Sequence, residues 1–74
     1  MYRLTPHAIE RIAQRELQAE ELLAALEGRA VRQQDRTIFY DRTTRCVVVV
    51  KGEWVLTAYR TTRGEVKRTF GRGR

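Results

Sequence analysis

Arg45-Cys46-Val47-Val48-Val49-Val50-Lys51-Gly52-Glu53-Trp54-Val55-Leu56-Thr57-Ala58-Tyr59-Arg60-Thr61 is the stretch on which the fold turns. β-branched and aromatic side chains suit a pleated, half-buried backbone, and Lys51-Gly52 interrupts the run where a tight hairpin turn fits. The reading is an antiparallel pair, Arg45–Lys51 and Glu53–Thr61. Alternation along the second strand sends Trp54, Leu56 and Ala58 one way and Val55, Thr57 and Tyr59 the other. The first set suits a helix-packed face. Val47–Val50 is apolar on both faces, whereas two short helices cover only one face of such a sheet. A dimer mate or a partner chain would cover the second face, unless its valines simply stand exposed.

Working back toward the N-terminus, Ala30–Gln34 and Arg36–Asp41 read as two further strands, with Arg42-Thr43-Thr44 as the next turn. Beyond the hairpin, Thr62-Arg63-Gly64 is a turn signal, Glu65–Phe70 is β-rich, and Gly71-Arg72-Gly73-Arg74 is a basic, flexible tail. Thr5-Pro6 is a helix start, because a threonine cap accepts from an orphan N–H and proline at the first helical position needs no donor. The first helix is predicted from Pro6 to about Glu16, with Ile9, Ile12 and Ala13 on one side and His7, Arg11 and Gln14 on the other. A second is predicted from about Ala19 to Glu27, packing through Leu22, Leu23 and Leu26, with Gly28 placed for a C′ cap. The fold class is therefore α+β, with two N-terminal helices on one face of a twisted, mainly antiparallel sheet of about four strands. With 74 residues the chain makes one domain over residues 1–74.

The net charge of +6 is unevenly placed. Residues 1–28 carry net −2 and residues 29–74 net +8, so the basic half is the predicted sheet. Thirteen of the fifteen basic residues are arginine, whose planar fork grips phosphate in a bidentate way. A polyanion is the natural partner, unless the arginine content reflects compositional bias. One cysteine and one histidine cannot build a metal cluster, and no cofactor is expected. Cys46 opens an apolar run and reads as a small buried hydrophobe. No stretch of roughly eighteen apolar residues exists to span a bilayer, and the first residues lack the pattern of an export signal. The expected location is cytoplasmic, with no membrane contact.

Thr5-Pro6-His7-Ala8-x-x-Arg11-x-x-x-Arg15, a leucine-rich second helix and Val55-Leu56-Thr57-Ala58-Tyr59-Arg60 together resemble a family of small bacterial domains of unknown function. That family usually opens H-A-x-x-R-x-x-x-R and ends near T-x-Y-R, and it is similar in fold to RelE/ParE-type toxins. The resemblance covers roughly residues 4–60. This chain departs from the pattern at Gln18-Ala19, a weaker cap before the second helix, and in the more basic stretch after Arg60.

What the resemblance implies is a toxin-like RNA-binding protein, a metal-independent ribonuclease of a toxin–antitoxin type system with an acidic antitoxin as partner. Cleavage through the 2′-hydroxyl needs a proton acceptor and cations around the transition state. His7, Arg11 and Tyr59 are the candidate catalytic residues, and Arg15, Thr57, Arg60, Arg63, Lys67 and Arg68 the candidate RNA contacts. Plainer roles stand beside these. His7 can hydrogen-bond its neighbours, Arg11 and Arg15 can be solvated or paired with Glu10 and Glu16, and Tyr59 can be an ordinary cross-strand aromatic. Two further readings remain open: a non-catalytic nucleic-acid-binding module, and an interaction domain pairing through its sheet, including as a homodimer.

Overall fold

The computed structural model describes residues 2–61. The expected strand 65–70, the turn 62–64, the tail 71–74 and the candidate contacts Arg63, Lys67 and Arg68 lie outside the described residues.

Along the chain the elements are β1 (Arg3–Leu4), α1 (Pro6–Gln14), α2 (Ala19–Leu26), β2 (Arg29–Gln33), β3 (Arg36–Tyr40), β4 (Cys46–Lys51) and β5 (Trp54–Arg60). Short turns join β2 to β5, so sequential antiparallel pairing costs little loop entropy. The sheet has five strands, ordered β1-β5-β4-β3-β2, rather than about four. The added strand is β1, which pairs parallel to β5 through Arg3 and Leu4 and makes the sheet mixed. Two residues are too few to show an alternation, so β1 left no signal in the sequence.

Thr5 fastens this edge. Its hydroxyl accepts from the Ala8 N–H at 3.0 Å and donates to the Val55 carbonyl at 3.0 Å, so one side chain caps α1 and anchors it to β5. α1 ends with Glu16 in the left-handed region at φ 54°. There the Glu16 N–H reaches the Ala13 carbonyl and the Leu17 N–H the Ile12 carbonyl, which satisfies two carbonyls at the helix end.

Both helices are rolled relative to the faces expected from their apolar residues. In α1 the fully buried residue is Ala8, Ile12 packs beside it, and Ile9 is 54% exposed. In α2 Ala25 is fully buried between Leu22 and Leu26, whereas Leu23 is 59% exposed. The cause is size. Ala8, Ala25 and Ala58 are all fully buried, and small side chains let a helix backbone settle close to a sheet, displacing the bulkier stripe to one flank.

The expected faces of β5 are also half corrected. Val49 pairs with Thr57 but Val50 pairs with Val55, so Leu56 is an extra residue in a β-bulge. One inserted residue resets the alternation. Val55 thereby joins Ala58 under the helices and Trp54 is left 42% exposed, while Thr57 and Tyr59 keep the expected side. β4 lies at the centre of the sheet. Cys46, Val48 and Val50 enter the core beneath α1 and α2, and Val47 and Val49 enter a second cluster with Tyr40, Val31, Ile38 and Tyr59 on the opposite face.

Gly28 stands at the C′ position expected of it, directly after the Glu27 cap, with its N–H on the Ala25 carbonyl at 3.0 Å, although its φ is not positive. It also gives clearance: a β-carbon at Gly28 would overlap the Tyr40 carbonyl oxygen. Gly28→Ala should therefore lower stability by about 1–3 kcal/mol, as overpacked sites do. Urea unfolding checks this, and an unchanged midpoint with an unchanged slope would show that the backbones separate freely there.

Candidate nucleic-acid interface

The sequence-predicted site residues fall into three groups. The first lies on the flank of α1, where His7, Arg11 and Gln14 stand one turn apart on the side away from Ile9. Arg11 Nε donates to His7 Nε2 at 3.3 Å, and Arg11 Nη1 donates to Gln14 Oε1 at 3.0 Å. The guanidinium thus occupies the imidazole lone pair that a general base would use. Arg11 must let go before His7 can take a proton through that atom.

The second group is structural. Arg15 Nη1 donates to the Ala58 carbonyl at 2.7 Å and pins α1 to β5. Arg60 makes a bidentate pair with Glu21, Nε to Oε2 at 2.8 Å and Nη2 to Oε1 at 2.7 Å. The same guanidinium reaches the carbonyls of Arg15 at 3.1 Å and Glu16 at 3.3 Å, where the end of the α1 dipole favours a cation. Glu21 Oε1 also accepts from the Gln18 N–H at 2.8 Å, which caps α2 despite the weak cap residue at position 18. Arg60 therefore joins the end of β5 to both helices.

Thr57 and Tyr59 form the third group, half-buried on the opposite face of the sheet, with Tyr59 packed among the residues around Tyr40 and Val47. Tyr59 is separated by the sheet from the side on which α1 packs, so it is not brought together with His7 and Arg11.

Two arginines that sequence reasoning passed over stand out instead. Arg42 and Arg45 sit in the β3–β4 turn, which the side chain of Asp41 holds. Asp41 Oδ2 accepts from the Thr44 N–H at 2.9 Å and from the Thr44 hydroxyl at 2.8 Å, and the Arg45 N–H reaches the Asp41 carbonyl at 2.8 Å. Arg45 adopts φ 63°, and its carbonyl accepts from the Thr61 N–H at 2.9 Å. Both side chains are exposed, and neither pairs with a carboxylate among the described residues. Arg29, opposite Tyr40 in the register, belongs to the same end of the sheet. From Thr61 at this end the chain continues into residues 62–74, which hold five basic residues and one acidic. The Asp41-x-x-Thr44 spacing was the available signal, because a side chain that fixes a turn also fixes what the turn displays.

Elsewhere Arg32 on β2 is likewise exposed and without a carboxylate partner among the described residues, whereas other cations are matched. Arg3 pairs with Glu53 at 3.4 Å, and Asp35 pairs with Lys51 at 3.1 Å and Arg36 at 3.8 Å. Burial pushes the Cys46 thiol up to about 11, so it stays protonated in the core. Among the described residues no cluster of side chains suited to a metal ion converges, and no helix is long and apolar enough to cross a membrane. The arrangement is an α+β sandwich of one helical layer on a mixed sheet. Comparison with protein-family models, curated proteins and solved structures gives no match to this chain.

Hydrogen bonds from Arg60 and then from the Gln18 N–H hold the Glu21 carboxyl below the usual carboxylate range. A carboxyl depressed in the folded state contributes stability above its unfolded value, and that contribution is lost as pH falls through the folded value. Wild type should therefore exceed Glu21→Gln in stability at neutral pH, and the gap should close on acidification below about pH 4. Paired denaturant curves at several pH values test this; a gap independent of pH would remove the ionic part of the clamp.

Proposed function

We propose that the protein binds RNA, gripping the phosphate chain at the end of the sheet that carries Arg42 and Arg45. One observation carries this reading: two exposed guanidinium groups, without carboxylate partners among the described residues, stand on a turn whose geometry is fixed by its own hydrogen bonds. The fixed turn spares the backbone part of the ordering cost on binding, and each group brings the bidentate fork that suits phosphate oxygens. The overall charge of +6 favours approach to a polyanion. Arg60, expected among the RNA contacts, is better read as a clamp, since Glu21 and two carbonyls already engage it.

The finer reading, a toxin-like ribonuclease of the RelE/ParE kind held in check by an acidic antitoxin, rests on the sequence resemblance and on the His7–Arg11 pair. In that chemistry Arg11 leaves His7 Nε2 for the non-bridging phosphate oxygens, and His7 takes the proton of a 2′-hydroxyl as its oxygen attacks the adjacent phosphorus. The bond to the 5′-oxygen breaks, that oxygen takes a proton from water, and a 2′,3′-cyclic phosphate forms. Tyr59 has no part in it from the far face.

Filter binding of single-stranded RNA across a salt series tests the main proposal. Affinity should fall linearly on logarithmic axes, and Arg42→Gln with Arg45→Gln should weaken binding about tenfold at low salt and flatten the slope by about one to two contacts. A flat salt dependence, or a double variant equal to wild type, would refute it. Cleavage is tested separately: His7→Ala should abolish it and Tyr59→Phe leave it unchanged. RNA left intact by wild type, alone and with ribosomes, would end the ribonuclease reading and leave binding standing.

A further inference from the structure

The roll of the two helices leaves an apolar groove on the helical side of the molecule. Its volume is about 430 Å³, and it is walled by Ile12 of α1 and by Ala19, Leu22, Leu23 and Leu26 of α2, with Leu4 of β1 beside them. Val48 and Val55 form the floor, and Tyr2 lies against the side, its ring edge-on to Phe39 at 6.1 Å between centroids. Tyr2, Leu4, Ile9 and Leu23 are four of the five large hydrophobic residues exposed among the described residues. Three of the four line the groove, and Ile9 lies one turn before Ile12 on the same helix. A contiguous exposed apolar surface of this kind marks an interaction site more often than chance exposure.

The rim has the opposite sign to the rest of the protein. On α2 Glu20 lies one turn before Leu23 and Glu27 one turn after it, so the most exposed leucine sits between two carboxylates. Neither Glu20 nor Glu27 makes a salt bridge among the described residues. The cations of the helical layer are engaged elsewhere, Arg11 on the far flank with His7 and Arg15 on the Ala58 carbonyl.

We infer that this groove is a docking site for a basic amphipathic helix of a partner protein. The apolar stripe of such a helix enters between the Ile9 and Leu23 ridges, and its flanking lysines or arginines meet Glu20 and Glu27. The size matches a few side chains presented at one-turn spacing, the usual mode of a helix laid in a groove. A symmetric second copy fits poorly, because two identical acidic rims would face each other across the dimer axis.

The test uses the full chain, isotope-labelled for NMR, and a fourteen-residue model helix of leucine and lysine with leucine at one-turn spacing. Saturable binding is expected, with shift changes confined to Leu4, Ile12, Leu22, Leu23, Leu26 and Val55. Leu23→Lys should weaken binding at least tenfold, and Glu20→Lys with Glu27→Lys should do so severalfold. A leucine–glutamate helix of the same pattern should not bind. The inference is overturned by absence of saturable binding, by shifts at the β3–β4 turn instead, by equal binding of the acidic helix, or by a dimer or the chain's own residues 62–74 occupying the groove.

Discussion

One guanidinium holds the two layers in their observed relation. Arg60 stands at the end of β5, where strand pairing stops, and reaches the Glu21 carboxylate of α2 and the last carbonyls of α1 together. The turn that leaves α1 exposes the carbonyls of the cap residue Arg15 and of Glu16, and here both share a donor group with a carboxylate that is itself fastened to the Gln18 N–H. The connection between α1 and α2 is therefore closed by charge-assisted hydrogen bonds rather than by loop length. At the other end of α1 the Thr5 hydroxyl works in the same way, capping the helix while bonding the Val55 carbonyl. β5 is thus stitched to α1 at both ends, and the buried alanines set how closely the helices lie on the sheet.

That economy separates the arginines by role. Arg15 and Arg60 satisfy backbone carbonyls, Arg3 and Arg36 pair with nearby carboxylates, and Arg42 and Arg45 are displayed outward by a turn that Asp41 and Thr44 stiffen. Net charge alone does not distinguish them. Geometry does, because a guanidinium already holding a carboxylate and two carbonyls must give up those bonds before it can bind phosphate. The carboxylates not used as clamps collect along the outer ridges of the helices, which gives the small molecule a basic end and an acidic, apolar flank.

Much of this fold was readable in the residues. Thr5-Pro6 marked the start of α1, Lys51-Gly52 marked the central hairpin, and four of the five strands followed from β-branched runs between turn residues. What escaped was set by contacts over long sequence distances. β1 exists because β5 offers it an edge, and its two residues carry no period of their own. The bulge at Leu56 inverted the expected faces of Trp54 and Val55, and no single residue announces a bulge. Counting bulky side chains placed Ile12, Leu22 and Leu26 correctly against the core but not Ile9 and Leu23, because close approach selected the alanines at the centre of each face. At the candidate site the same limit applies. The pairing of His7 with Arg11 follows from helical spacing, whereas the capture of Arg60 by Glu21, 39 residues away, follows from nothing local.

The division between clamp and contact arginines is tested most directly by measuring stability and RNA affinity together for Arg60→Gln and for the Arg42→Gln, Arg45→Gln pair. Arg60→Gln should lower the urea midpoint while the folded fraction keeps its affinity, and the pair should lose affinity at an unchanged midpoint. The reverse pattern, a stable Arg60 variant that no longer binds beside a turn variant that does, would contradict the assignment of roles.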